Sequence, residues 1–123
     1  MSNPVESSQT VSPEPPLPLR VLRRLGLLRG LFREAAANRP VEPLELYSME
    51  GCPACRRVRR TLTELEIDFL HRSSPRGGTT NRAELARRGG KMQVPYLIDP
   101  NSGAEMYESR EIVRYLREHY GAA

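Results

Sequence analysis

The stretch MEGCPACRRVRR, Met49 to Arg60, holds both cysteines of the chain, Cys52 and Cys55, in a C-x-x-C with proline and alanine between them and four arginines close behind. Residues of these types at this spacing can hold a metal, brace a fold or exchange electrons. A structural zinc site needs four ligands, and the histidines on offer, His71 and His119, stand in no finger-like spacing. Two cysteines this close are too few to frame a disulfide scaffold. Gly51 and Pro53 on either side of Cys52 disfavour a plain core role. Electron exchange is the favoured reading.

That chemistry depends on where the pair sits. At a strand-to-helix turn, the first sulfur lies at a helix N-terminus, where unpaired N–H groups and the macrodipole favour a negative charge. Pro53 suits the first helical position, having no N–H to lose. Cys55, one turn on, can reach Cys52. Cys52 is therefore the expected nucleophile, because the thiolate is the attacking species in disulfide exchange, and Cys55 the expected resolving thiol. Arg56, Arg57, Arg59 and Arg60 cannot all face Cys52, so most of that run is expected to be solvated flank.

The elements around the motif fit this placement. Leu44 to Tyr47 alternates like a strand, Pro53 to Leu65 carries helical spacing at Val58, Leu62 and Leu65, and Ile67 to His71 is a second strand. After the loop SSPRGGTTN, a short helix from Arg82 to Arg88 stops at Gly89-Gly90. Pro95 to Ile98 and Ala104 to Tyr107 form two further strands across the turn DPNSG, and Arg110 to Tyr120 is a closing helix with Ile112, Val113 and Leu116 inward. The order βαβ-α-ββα predicts an α/β fold with a central mixed four-stranded sheet flanked by helices.

The chain has 123 residues and 38% hydrophobic content, enough for one ordinary core. So few cysteines point to a reducing cytoplasm, and without a spanning apolar run or a signal peptide the protein is expected to be soluble. The formal charge of +4 is unevenly spread: residues 1–40 carry a net +3 and residues 41–123 only +1. A near-neutral domain with few aromatics disfavours nucleic acid as a partner.

Three segments are expected. Residues 1–18, with Pro4, Pro13, Pro15, Pro16 and Pro18, form a disordered tail. Residues 19–40 form a basic amphipathic helix and linker, the helix running from Leu19 to about Ala37 with Val21, Leu25, Leu28 and Phe32 on one face and Gly26 and Gly30 weakening it. Residues 41–123 form the domain. The helix could pack on its own domain, or residues 19–37 could touch a membrane surface or a partner protein.

From Val41 to Tyr120 the chain resembles the glutaredoxins and the related N-terminal domain of glutathione transferases, both of the thioredoxin-like fold. YSMEGCPAC, QVPYLID and MYESREIVRYLREHY carry the likeness. The resemblance implies that Cys52 forms a mixed disulfide with glutathione and that Cys55 resolves it. It implies a cis Pro95 across from the cysteines, with the backbone of Val94 pairing with the cysteinyl part of glutathione. It also sets Glu108 and Ser109 at the γ-glutamyl end, though Ser109 would serve equally as a helix cap. The chain departs from the glutaredoxins at Met49, where many have lysine, at Ala54, and at Glu108-Ser109, which is transferase-like. Full transferases continue into a helical domain, so an end at Ala123 argues against a self-contained transferase pocket.

The expected function is that of a glutaredoxin-like thiol-disulfide oxidoreductase, with glutathione as electron donor and disulfide-containing proteins or glutathione mixed disulfides as substrates. The alternative is a non-enzymatic glutathione-binding or iron-sulfur carrier module, with a cluster bridged between two chains by Cys52 and glutathione, tethered by the N-terminal helix. A resemblance to arsenate-reductase-like regulators is weaker, since QVP and YES tell against it.

Overall fold

The computed structural model describes residues 21–22 and 24–122; the expected tail, residues 1–18, lies outside them. Seven elements follow: β1 (Leu44–Ser48), α1 (Pro53–Glu64), β2 (Phe69–Ser73), α2 (Asn81–Gly89), β3 (Tyr96–Asp99), β4 (Ala104–Tyr107) and α3 (Ser109–Tyr120). The strands form one mixed sheet in the order β2-β1-β3-β4. β1 runs parallel to β2 and antiparallel to β3, and β3 is antiparallel to β4. This is the expected α/β thioredoxin-like architecture.

Alternation along the strands divides the core between the two faces of the sheet. Leu44 and Leu46 of β1 and Leu97 of β3 join Val58 and Leu62 of α1 and Ile112 and Leu116 of α3 in the larger cluster. Tyr47, Tyr96 and Ile98 point the other way and pack with Leu85 of α2.

The second strand starts two residues later than expected, and the close of α1 gives the reason. Glu66 takes a left-handed φ of +55° and the Ile67 N–H donates to Leu62 O at 2.9 Å, the bond pattern of a Schellman close. Ile67 is thus spent on closing the helix and stays buried without entering the strand. Glycine is the usual residue at such a position, so Glu66→Gly should raise stability by about 0.5 kcal/mol. A shift of the urea midpoint would register it. The Arg33–Glu66 ion pair lost with it spans 3.8 Å between exposed groups and contributes little.

A buried carboxylate joins the far end of β3 to α3. Asp99 Oδ2 accepts from the hydroxyls of Tyr115 at 2.6 Å and Tyr120 at 2.5 Å, while Oδ1 accepts from Asn101 N at 2.9 Å and Nδ2 at 2.8 Å. Burial opposes its ionisation, but the bonds from Tyr115, Tyr120 and Asn101 outweigh burial and hold the carboxyl below its ordinary value. A depressed folded-state value adds stability above the ordinary carboxylate range, and that stability is lost as pH falls through the folded-state value. Asp99→Asn puts an NH2 group against donors on one side or the other and should cost about 2 kcal/mol at neutral pH. The gap from wild type in urea denaturation should narrow on acidification.

The N-terminal segment departs most from expectation. A helix to about Ala37 is not found. Among the described residues of 21–40, only Val21, Leu22 and Arg24 are helical, and turns follow through Leu31. Gly26 at φ +81° ends the helix, with the Leu27 N–H donating to Leu22 O at 2.9 Å, and Gly30 at φ +80° turns the chain again. The segment then becomes a strap on the domain. Leu28 and Phe32 are half-buried, and the Glu34 N–H donates to Glu64 O and the Ala37 N–H to Tyr120 O. Arg117 holds Glu34 at 2.5 Å and the buried Glu64 at 3.2 Å, and Gly30 N–H donates to the same Glu64 carboxylate at 2.8 Å.

Candidate functional site

The strand register gathers the candidate residues at one end of the sheet. Tyr47 pairs with Tyr96 and Tyr96 with Tyr107. The turn after β1 that carries the cysteines, the Val94-Pro95 step before β3 and the Glu108-Ser109 step after β4 therefore emerge side by side.

Gly51, at φ +78°, turns the chain into Cys52, which is the N-cap of α1 in extended conformation, with Pro53 in the first helical turn. The Cys55 N–H donates to Cys52 Sγ at 3.2 Å, so the sulfur occupies the place of a capping oxygen. Both cysteines are free. Cys52 is half-exposed and Cys55 buried. Burial, reinforced by a hydrogen bond to the Cys52 sulfur, pushes the Cys55 thiol up to about 11. The outer cysteine is thus half-exposed with its sulfur at a helix N-terminus, and the inner one lies buried one turn behind it, where burial favours the thiol form.

The Val94-Pro95 peptide is cis, with Pro95 buried and Val94 half-buried. Among the described residues no backbone-to-backbone hydrogen bond engages Val94, which leaves its main chain available to an added strand. Glu108 stands at φ +73° as the N-cap residue of α3 but makes no capping bond with its side chain. Its exposed carboxylate accepts instead from Gln93 Nε2 at 3.2 Å. Backbone strain of this kind is retained where the surroundings fix it and often marks a ligand clamp. Ser109 is buried at the first position of α3, and its hydroxyl accepts from Arg57 Nη1 at 3.0 Å.

The arginine run is exposed at Arg56 and Arg57 and half-buried at Arg59 and Arg60, as a largely solvated flank should be, but that last contact shows that part of it also has defined partners. Arg57 reaches from α1 to Ser109 on α3, and Arg59 donates to Ser48 Oγ at 3.3 Å and Met49 O at 3.4 Å. Arg60, with Arg56 and Arg57, lines a cleft of about 220 Å³ against Gly51 and Pro53. The cause is helical phase: with Val58 and Leu62 committed to the core, positions 57 and 59 fall on the flanks beside α3 and β1.

Arg82 of α2 is a second residue that sequence reasoning missed. It donates to Ser74 O at 3.0 Å, Pro75 O at 3.2 Å and Met92 O, and Nη2 reaches Met49 Sδ at 3.5 Å. It ties the Met49 turn to the loops on either side of α2 and sets a cation beside Met49, where many glutaredoxins carry lysine. Ser48 Oγ and His71 Nε2 are hydrogen-bonded at 2.6 Å on the far side of the turn. Among the described residues no group of three or more His, Cys, Asp or Glu is arranged to hold a metal ion.

With this geometry in hand, a family model described as "Glutathione S-transferase, N-terminal domain" matches residues 46–123. The chain belongs to that family. Among solved structures, a glutathione transferase of Bombyx mori, BmGSTD1, is 30% identical with a TM-score of 0.61 over 70% of this chain and 39% of its own. A delta-class glutathione transferase of Nilaparvata lugens is 28% identical with a TM-score of 0.58, covering 66% of this chain and 38% of its own. Ure2p, solved in complex with glutathione, is 25% identical with a TM-score of 0.57, covering 67% of this chain and 38% of its own. The domain thus spans under two fifths of the length of these relatives. No curated protein sequence matches it.

Proposed function

We propose that residues 41–123 act as a glutathione-dependent thiol-disulfide oxidoreductase working in the cytoplasm. The observation that carries this reading is the cysteine pair itself: a half-exposed Cys52 whose Sγ takes the N-cap place of α1 and a buried Cys55 behind it. Cys52, as thiolate, attacks a sulfur of the substrate disulfide. The S–S bond breaks, the departing thiolate takes a proton from solvent, and a mixed disulfide remains on Cys52.

Two routes lead back. With a protein disulfide, Cys55 loses its proton and attacks Cys52 Sγ, which closes the Cys52–Cys55 disulfide and releases a protein dithiol. Two glutathione thiols then restore the pair and leave as glutathione disulfide. With a glutathionylated protein, the glutathionyl group stays on Cys52 and a second glutathione thiolate removes it as glutathione disulfide. Val94, Pro95, Glu108 and Ser109 would hold the tripeptide, with Val94 as an added-strand partner and Ser109 at the γ-glutamyl carboxylate.

The family match favours a second reading, transfer of glutathione to an electrophile. One experiment separates the two. The purified protein is assayed with 2-hydroxyethyl disulfide in a coupled glutathione reductase system and with 1-chloro-2,4-dinitrobenzene. Turnover of the disulfide alone is the expected result. Conjugation without disulfide turnover would replace the first reading with the second.

A further inference from the structure

From the exposed strap we propose that the domain docks on an anionic lipid surface, through Val21, Leu22, Leu25, Leu27 and Leu31 and the arginines around them. This does not depend on the redox reading. The five apolar side chains fall within eleven consecutive residues, and their exposure runs from 37% at Leu22 to 68% at Leu31. Scattered apolar residues are ordinary on a surface, but five so close together mark a contact.

The same breaks that prevent a long helix produce this display. The left-handed turns at Gly26 and Gly30 seat Leu28 and Phe32 on the domain and leave Leu25, Leu27 and Leu31 outward. The strap is fixed from Gly30 onward by the bonds to Glu64, Arg117 and Tyr120, so the patch is carried on an anchored base.

Charge selects the occupant. Arg24 and Arg29 are exposed beside the apolar group. Gly30 lies against Arg60, whose Cγ would be 3.1 Å from a Cβ at Gly30, and Arg60 leads on to Arg56 and Arg57 in the cleft beside the Cys52 turn. The acidic neighbours offset only part of this charge: Glu34 and Glu64 share Arg117, which leaves one negative charge, and Glu66 lies 3.8 Å from Arg33. Apolar side chains framed by guanidinium groups, of which Arg24 and Arg29 have no carboxylate partner among the described residues, match the acyl-headgroup boundary of an anionic leaflet. A second copy meeting this face about a two-fold axis would set arginines against arginines. No described helix is long and apolar enough to cross a membrane.

The test is co-sedimentation of the full chain with vesicles of phosphatidylcholine alone and of two parts phosphatidylcholine to one of phosphatidylglycerol. Binding should require phosphatidylglycerol and weaken as salt rises. Arg24→Gln with Arg29→Gln should lower affinity roughly five-fold per arginine. Leu25→Asp with Leu27→Asp should abolish binding without moving the thermal midpoint, since both side chains are exposed. Failure of the wild type to bind the mixed vesicles overturns the proposal. So does equal binding by the Leu25→Asp, Leu27→Asp protein, or a wild-type dimer that this variant splits and that ignores vesicles.

Discussion

Cys52→Ser should reduce disulfide turnover by at least about a thousand-fold, because a serine hydroxyl is hardly ionised at neutral pH and cannot replace a thiolate nucleophile. Cys55→Ser should separate the two routes. Reduction of a protein disulfide should fall nearly as far, since no second thiol remains to release the substrate. Release of glutathione from a glutathionylated protein should persist, because that route uses Cys52 alone. The burial of Cys55 adds an independent check. With its thiol pushed up to about 11, iodoacetamide at neutral pH should add once, at Cys52, and mass spectrometry would locate the adduct. A raised value also sets the sign of the alkaline limb: the neutral Cys55 favours the fold below the ordinary thiol range, and that contribution is lost as pH climbs through the folded-state value. Full activity in Cys52→Ser would remove the thiol mechanism altogether.

The pair was legible before any coordinates because its signals are local. Strand alternation, Pro53 at the helix start and a C-x-x-C between them need only a dozen neighbouring residues, and the order of elements follows from period alone. What the sequence hid falls into two kinds. One is backbone sign: nothing in the composition around Glu66 marks a non-glycine at positive φ, yet that residue moves β2 by two positions, and Gly26 and Gly30 read as weakened helix when they are turns. The other is long-range pairing. Arg57 and Ser109 are 52 apart in sequence, and Arg82 and Met49 are 33 apart. An arginine run on a helix flank is solvated by default, and only the packing of α1 beside α3 gives Arg57 a partner.

The Arg57 contact carries the second large expectation. Under the proposed function, Ser109 and the first N–H groups of α3 face the γ-glutamyl carboxylate, and Arg57 already donates to the Ser109 hydroxyl at 3.0 Å. A guanidinium so placed can turn one N–H to the carboxylate and keep another on the hydroxyl, a charge-assisted bond of about 1.5–3 kcal/mol. Arg57→Met keeps the aliphatic stem and removes every donor, so KM for glutathione should rise roughly ten-fold or more at little change in kcat. Arg57→Lys should recover only part of the loss, because a lysine point charge cannot bond carboxylate and hydroxyl in the fixed fork of arginine. Saturation curves for glutathione at fixed disulfide would measure both. Arg56→Met, one residue away on the same exposed flank and without the Ser109 contact, should leave KM within about two-fold. If both variants raised KM equally, Arg57 would be acting through general positive potential in the cleft, and its bond to Ser109 would have no part in holding glutathione.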